Sequence, residues 1–172
     1  DFPATELEIW ESKLDSKNLH LANTLAPISD NYLLTDETVA INEVNSFKKS
    51  GGGTIVDVTS IGLKRDPEAL RRVSEATGLH LVMGTGYYQK VFHPEDMDER
   101  TVENLTSEIV QDIIVGIRGT GIRAGVIGEI GVNGGPITFN EEKSIRAATR
   151  ASLLTGAAIT FHRGGTRSER HT

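Results

Sequence analysis

Short β-branched apolar runs alternate with longer amphipathic stretches along most of this chain, a pattern that predicts consecutive strand–helix units on a parallel sheet. Four strands are placed at Gly53 to Val58 (GTIVDV), His80 to Gly84 (HLVMG), Gly125 to Ile130 (GVIGEI) and Ala157 to His162 (AAITFH). Each is apolar enough to be covered on both faces. Between them, Asp66 to Thr77 reads as a complete helix, with Asp66 as N-cap, Pro67 in the first turn and Gly78 closing it. Thr101 to Arg118 sets Leu105, Ile109, Ile113 and Ile117 at four-residue steps, and Asn140 to Thr155 does the same with Ile145, Ala148, Ala151 and Leu154 before Gly156. Upstream, Thr35 to Lys49 can cap and form a helix, whereas residues 1–34 show no strong period and read as an excursion between elements. Gly51 to Gly53 is a tight turn into the first strand.

Such a repeat closes either as an open doubly wound sheet or as an eight-unit barrel, and the latter takes about 250 residues. With 172 residues and four units, this chain cannot close a barrel alone. On the barrel reading it is a fragment that leaves an apolar sheet edge and one apolar helix face uncovered. A hydrophobic content of 37% with 24% charged residues predicts one folded unit over 1–172. The net charge of -6 provides no basic field, which argues against nucleic acid and anionic membrane surfaces and in favour of a small-molecule substrate. Without cysteine, only His, Asp and Glu remain as first-choice metal ligands. No apolar run approaches the roughly 20 residues needed to span a bilayer, and Asp1 to Thr5 do not read as a signal peptide, so the expected compartment is the cytoplasm.

Glu129 interrupts an apolar, glycine-spaced run, Ala124 to Gly131, at the end of a predicted buried strand. A carboxylate there needs a cation, a hydrogen-bond network or a raised pKa, unless it merely caps the next loop or meets an Arg. His162 ends the following strand, where it can ligate a metal or simply be solvated. Adjacent parallel strands lie about 4.8 Å apart, so the two side chains can share one divalent cation. Asp57, in the first strand, reads as structural, with a nearby backbone amide as its partner. Tyr87, Tyr88 and Phe92, with His93, follow the second strand on the side where barrels build their sites. They either line a substrate pocket or pack beneath their own loop. Glu141 and Glu142, opening the last helix, suit its N-terminal dipole and read as solvated surface. Gly119-Thr-Gly121 with Gly125 is no dinucleotide fingerprint, and Val58 to Leu63 makes a poor phosphate loop for an open flavodoxin-like sheet.

The stretch Gly119-Thr-Gly-Ile-Arg-Ala-Gly-Val-Ile-Gly-Glu-Ile-Gly131 resembles the strand-four signature of phosphotriesterases and phosphotriesterase-related proteins, within the amidohydrolase superfamily. Thr54 to Thr59 followed by Gly62 and Arg65-Asp66, then Gly84-Thr-Gly-Tyr-Tyr88, His93-Pro94 and Ile159 to Gly164, follow that family's order, so the resemblance covers about residues 38–165. It implies an α/β chain forming part of a (β/α)8 TIM barrel, about strands two to five with their helices. It also implies a metal-dependent hydrolase acting on ester, lactone, amide or phosphoester bonds through a hydroxide bridging two divalent metals, usually zinc. Glu129 stands where the glutamate branch places its bridging acid, which makes it both metal ligand and catalytic residue, and His162 matches the strand-five ligand. Tyr87, Tyr88 and His93 are the expected substrate contacts. The family's His-x-His pair, strand-six His and strand-eight Asp have no counterpart here, and His20 and His171 match neither motif. The alternative is therefore a catalytically incompetent half barrel serving as a binding or assembly domain, its open edge paired with a second copy in a homodimer.

Overall fold

The computed structural model describes residues 4–22 and 28–164. His171 lies outside them. The chain divides into two compact units, Asp1–Ser46 and Phe47–Thr172. In the first, the stretch without a sequence period forms three short helices, α1 (Ala4–Glu11), α2 (Leu19–Ala22) and α3 (Ser29–Tyr32). They carry no long stripe, which is why periodicity did not reveal them. Helix α4 (Glu37–Lys49) follows, and its first amides are taken by Asp36 rather than Thr35: Thr38 N and Val39 N donate to Asp36 Oδ1 at 2.8 and 3.2 Å.

The second unit carries the repeat. Strands β1 (Thr54–Asp57), β2 (His80–Thr85), β3 (Val126–Val132) and β4 (Ile159–Arg163) pair in parallel in the order β1-β2-β3-β4. Helices α5 (Pro67–Thr77), α6 (Val102–Ile114) and α7 (Phe139–Thr155) make the crossovers. The order of neighbours equals the order in sequence, so the sheet curls in one direction as half of a (β/α)8 barrel.

The α5 boundaries follow the sequence reading, with Ala69 N donating to Asp66 Oδ1 at 3.0 Å and Gly78 at φ 69°. The helix expected over Thr101–Arg118 stops at Ile114 instead. Gly116 adopts φ 129°, which ends the helix, and a short 3-10 turn, Ile117–Gly119, carries Ile117 into the core by another route. Ile61, Tyr87, Leu105, Ile109, Ile127 and Ile130 form the main core with the α7 alanines 147, 148 and 151. Small residues on α7 let it approach the sheet closely.

Three further expectations are corrected. Glu141 is not solvated: it is 1% exposed and folds back as a capping box, accepting from Asn133 N (2.9 Å), Thr138 N (2.8 Å) and Thr138 Oγ1 (2.9 Å). Nor are all four strands covered on both faces, because β1 and β4 are the sheet edges: Val56 is 53% exposed, Ile159 40% and Phe161 49%. On α7, Leu154, expected on the buried stripe, is 71% exposed beside Leu153. An uncovered apolar edge and helix face are what half a barrel leaves open.

Candidate functional site

Strand β3 is the element that shapes the site. Its ladder with β4 pairs Ile127 with Ile159 and then Ile130 with Phe161, so the register shifts between them. Gly128 and Glu129 occupy this bulge, with Gly128 at φ 134°, a conformation that a residue with a Cβ resists. Lifted from the ladder, the Glu129 amide donates instead to Val58 O at 3.1 Å. Beyond the bulge, normal pairing resumes and sets Gly131 beside His162.

The consequence is a meeting of the two side chains singled out from sequence. His162 Nδ1 lies 3.2 Å from Glu129 Oε1, with the side chains 39% and 28% exposed. One oxygen and one imidazole nitrogen thus converge at the carboxyl ends of neighbouring strands, half open to solvent. This donor chemistry suits a divalent cation such as zinc. Among the described residues, no group of three or more His, Asp or Glu is close enough to hold an ion, so the pair alone does not make up a metal site. His20 is on α2 in the other unit.

Tyr88 stands edge-on to His162, ring centroids 5.2 Å apart, and also contacts Phe92 at 5.5 Å. The gap it fills exists because Gly131 has no side chain; a Cβ there would lie 2.6 Å from Tyr88 Cδ2. Burial, reinforced by the Glu129 carboxylate, pushes the Tyr88 phenol above its ordinary pKa, so it remains a neutral donor beside the pair. His93 sits behind, its Nε2 2.8 Å from Tyr88 O. A carbonyl can only accept, so Nε2 carries the hydrogen and Nδ1 is the bare nitrogen, buried with no partner among the described residues. Burial accordingly holds the ring below the usual histidine pKa. His93 thus fastens the Tyr88 backbone.

Tyr87 departs from its expected role. It is fully buried, its hydroxyl donates to Glu108 Oε2 at 2.6 Å and accepts from Arg100 Nη1 at 3.1 Å, and it is a core residue with no surface to present to a substrate. Asp57 takes the structural part expected of it, accepting from Thr59 N at 2.8 Å.

Three contributors escaped the sequence reading. Gly84, next to the carboxyl end of β2, leaves the space through which β3 reaches Val58. Arg65 and Asp112 form a buried ion pair at 2.6 Å, with Arg65 Nη1 also donating to Gly84 O at 3.3 Å and Thr85 Oγ1 to Asp112 Oδ2 at 2.6 Å. Asp112 was traceable: three residues after Ile109, it lies on the apolar stripe of α6, where an acid needs a cation.

Half a (β/α)8 barrel with an acid and an imidazole at adjacent strand ends defines the class. The model of the phosphotriesterase family matches residues 19–170, and the chain belongs to that family. It is similar to the N-acetyltaurine hydrolase of Danio rerio, 40% identical over 88% of this chain and 44% of that protein. It also resembles a phosphotriesterase-related protein of Nematostella vectensis, 43% identical over 78% of this chain and 39% of that one. Among solved structures, a resiniferatoxin-binding protein from Rhodobacter sphaeroides superposes with a TM-score of 0.85 at 37% identity, over 94% of this chain and 46% of its own. The phosphotriesterase homology protein of Escherichia coli, complexed with phosphate in its active site, gives 0.76 at 32% identity over 88% and 50%. The chain therefore spans no more than half the length of these relatives.

Proposed function

We propose that this chain is the part of a metal-dependent hydrolase that supplies Glu129 and His162 to a site for two divalent cations, with zinc favoured by the oxygen and nitrogen donors. The observation that carries the reading is the 3.2 Å approach of Glu129 Oε1 to His162 Nδ1 at adjacent strand ends. Bound zinc supplies acidity to a coordinated water and polarises the bond to be cleaved. Glu129 would bridge and tune the ions, and His162 would hold one of them. Tyr88 narrows the approach and offers its neutral hydroxyl to a small-molecule substrate, while His93 keeps the Tyr88 loop in place. Ester, lactone, amide and phosphoester bonds all suit such a site. The relatives named N-acetyltaurine hydrolase put an amide first.

The deciding measurement is metal content by elemental mass spectrometry of the 172-residue chain and its Glu129→Ala variant. Zinc retained by the first and lost from the second supports the reading; equal zinc in both overturns it. A second reading, a binding or assembly domain without catalysis, is favoured by the exposed edge at Ile159 and Phe161. It predicts a homodimer in sedimentation and no metal in either protein.

A further inference from the structure

Glycine inside a strand weakens it, so Gly84 in β2 calls for a reason. A turn is not the reason, because Gly84 is absent from the positive-φ glycines and continues regular parallel pairing with Val126. Space is. A Cβ at Gly84 would stand 2.1 Å from Gly128 O, 3.2 Å from Gly128 C and 3.2 Å from Val58 Cα. All three are backbone atoms, so no side-chain rotation relieves the overlap. By contrast, a Cβ at Gly125 meets only the Val82 side chain, and one at Gly53 meets nothing.

These contacts describe a backbone crossing. Asp57 pairs with Met83, which brings Val58 alongside Gly84 on one flank, while Val126 lies on the other. The bulge at Gly128 and Glu129 then folds over the bare face of Gly84 and bonds to Val58 O. Two strands that are not sheet neighbours are thereby joined across the one between them. We propose that Gly84 is a positioning residue for Glu129, its missing side chain allowing the Val58 carbonyl to take the Glu129 amide and so aim the carboxylate at His162. The consequence for metal rests on the ligand reading above; the crossing itself does not. Relieving a contact of only 2.1 Å moves the bulge by about 1 Å. That shift breaks the hydrogen bond from the Glu129 amide to Val58 O and opens the 3.2 Å contact to His162 beyond hydrogen-bonding distance.

The test is NMR on the metal-free 172-residue chain and its Gly84→Ala and Gly53→Ala variants, followed by zinc titration of the same samples. The wild type should show a through-hydrogen-bond coupling from Glu129 N to Val58 C′ and a protected Glu129 amide. In Gly84→Ala the coupling should vanish and that amide should exchange about ten-fold faster or more, while the buried helix amides of Leu105 and Ala151 keep their protection. Gly53→Ala should match the wild type throughout. Zinc affinity in Gly84→Ala should fall by about ten-fold or more, as when a partner that orients a ligand is lost. A wild type without the coupling, or a Gly84→Ala chain with unchanged protection and zinc affinity, overturns the proposal. If Gly84→Ala fails to fold, the wild-type coupling and protection decide. If the wild type binds no zinc but the coupling is present and disappears in Gly84→Ala, the crossing stands and the ligand reading of Glu129 falls.

Discussion

Replacing Arg65 by Met leaves Asp112 as a buried carboxylate without its cation. The two side chains are 6% and 5% exposed and 2.6 Å apart, so neither can recover water without opening the interface of α6 with β2. Breaking such a pair from one side costs about 3–5 kcal/mol, and the Thr85 hydroxyl that still donates to Asp112 favours the lower figure. A stability of about 5–15 kcal/mol is typical of a domain, and about 2–4 °C is lost per kcal/mol at this size, so Arg65→Met should melt roughly 10 °C early. Thermal melts followed by far-UV circular dichroism read the shift, and urea unfolding reads the free-energy loss. A cycle with Asp112→Asn separates charge from shape: the substituted amide still accepts from Thr85 but carries no charge, so Arg65→Met/Asp112→Asn should be more stable than Arg65→Met. As an internal contrast, Arg146→Ala breaks the exposed Glu142–Arg146 pair and should cost under about 0.5 kcal/mol. If Arg65→Met lost less than about 1 kcal/mol, the buried-pair account of this corner would be wrong.

Glu141→Ala leaves the Asn133 and Thr138 amides unpaired at the start of α7 and should cost about 2–3 kcal/mol near neutral pH in the same urea assay. Burial raises the Glu141 carboxyl, but these donors outweigh it and hold the folded pKa below 4.5; the loss should be fully present above that pH and fade as pH falls below it. His93 is pushed below 6.5 by burial, so its neutral ring contributes stability that is complete above pH 6.5 and is lost as the solution is acidified from there; His93→Gln should flatten that slope in thermal melts run from pH 7 to 5. Tyr87→Phe removes the hydroxyl shared by Glu108 and Arg100 and should lower stability by about 1–2 kcal/mol with bound zinc unchanged. A selective loss of metal or activity there would restore Tyr87 to the site.

The parts of the fold legible in sequence were those in which one period persists over a whole element. The four strand–helix units, their parallel order and both ends of α5 follow from apolar spacing plus Asp66, Pro67 and Gly78. What escaped depended on single backbone angles or distant partners. Ile117 continues the four-residue rhythm of α6 and is buried as that rhythm predicts, yet Gly116 at φ 129° takes it out of the helix. Thr138 and Glu141 carry the spacing of a capping box, a signal that outranks the general preference for acids at helix starts. Tyr87 and Tyr88 illustrate alternation: consecutive residues leaving a strand face opposite ways, so at most one could face the site, and burial selects Tyr88. Glu129 and His162 were legible because an acid and an imidazole at strand ends are conspicuous among apolar neighbours. Gly84 was not, because a missing side chain signals only what has to pass over it.

The two candidate ligands are held in unlike ways, and this follows from their places in the sheet. Glu129 is on an inner strand, and its backbone is fixed through Val58 on the β1 side, over Gly84 on β2, with β4 beyond. Its position is built within the four strands themselves. His162 is on edge strand β4, paired on one side only, with Tyr88 against its ring and its side chain 39% exposed. Ile159 and Phe161, which alternation turns to the opposite face of β4 from His162, are exposed as well, so covering this edge also buries apolar surface on that face. Any strand that pairs with β4 therefore acts on His162 before it acts on Glu129. The acid is preorganised by the half barrel, whereas the imidazole gains its final constraint from whatever completes that edge.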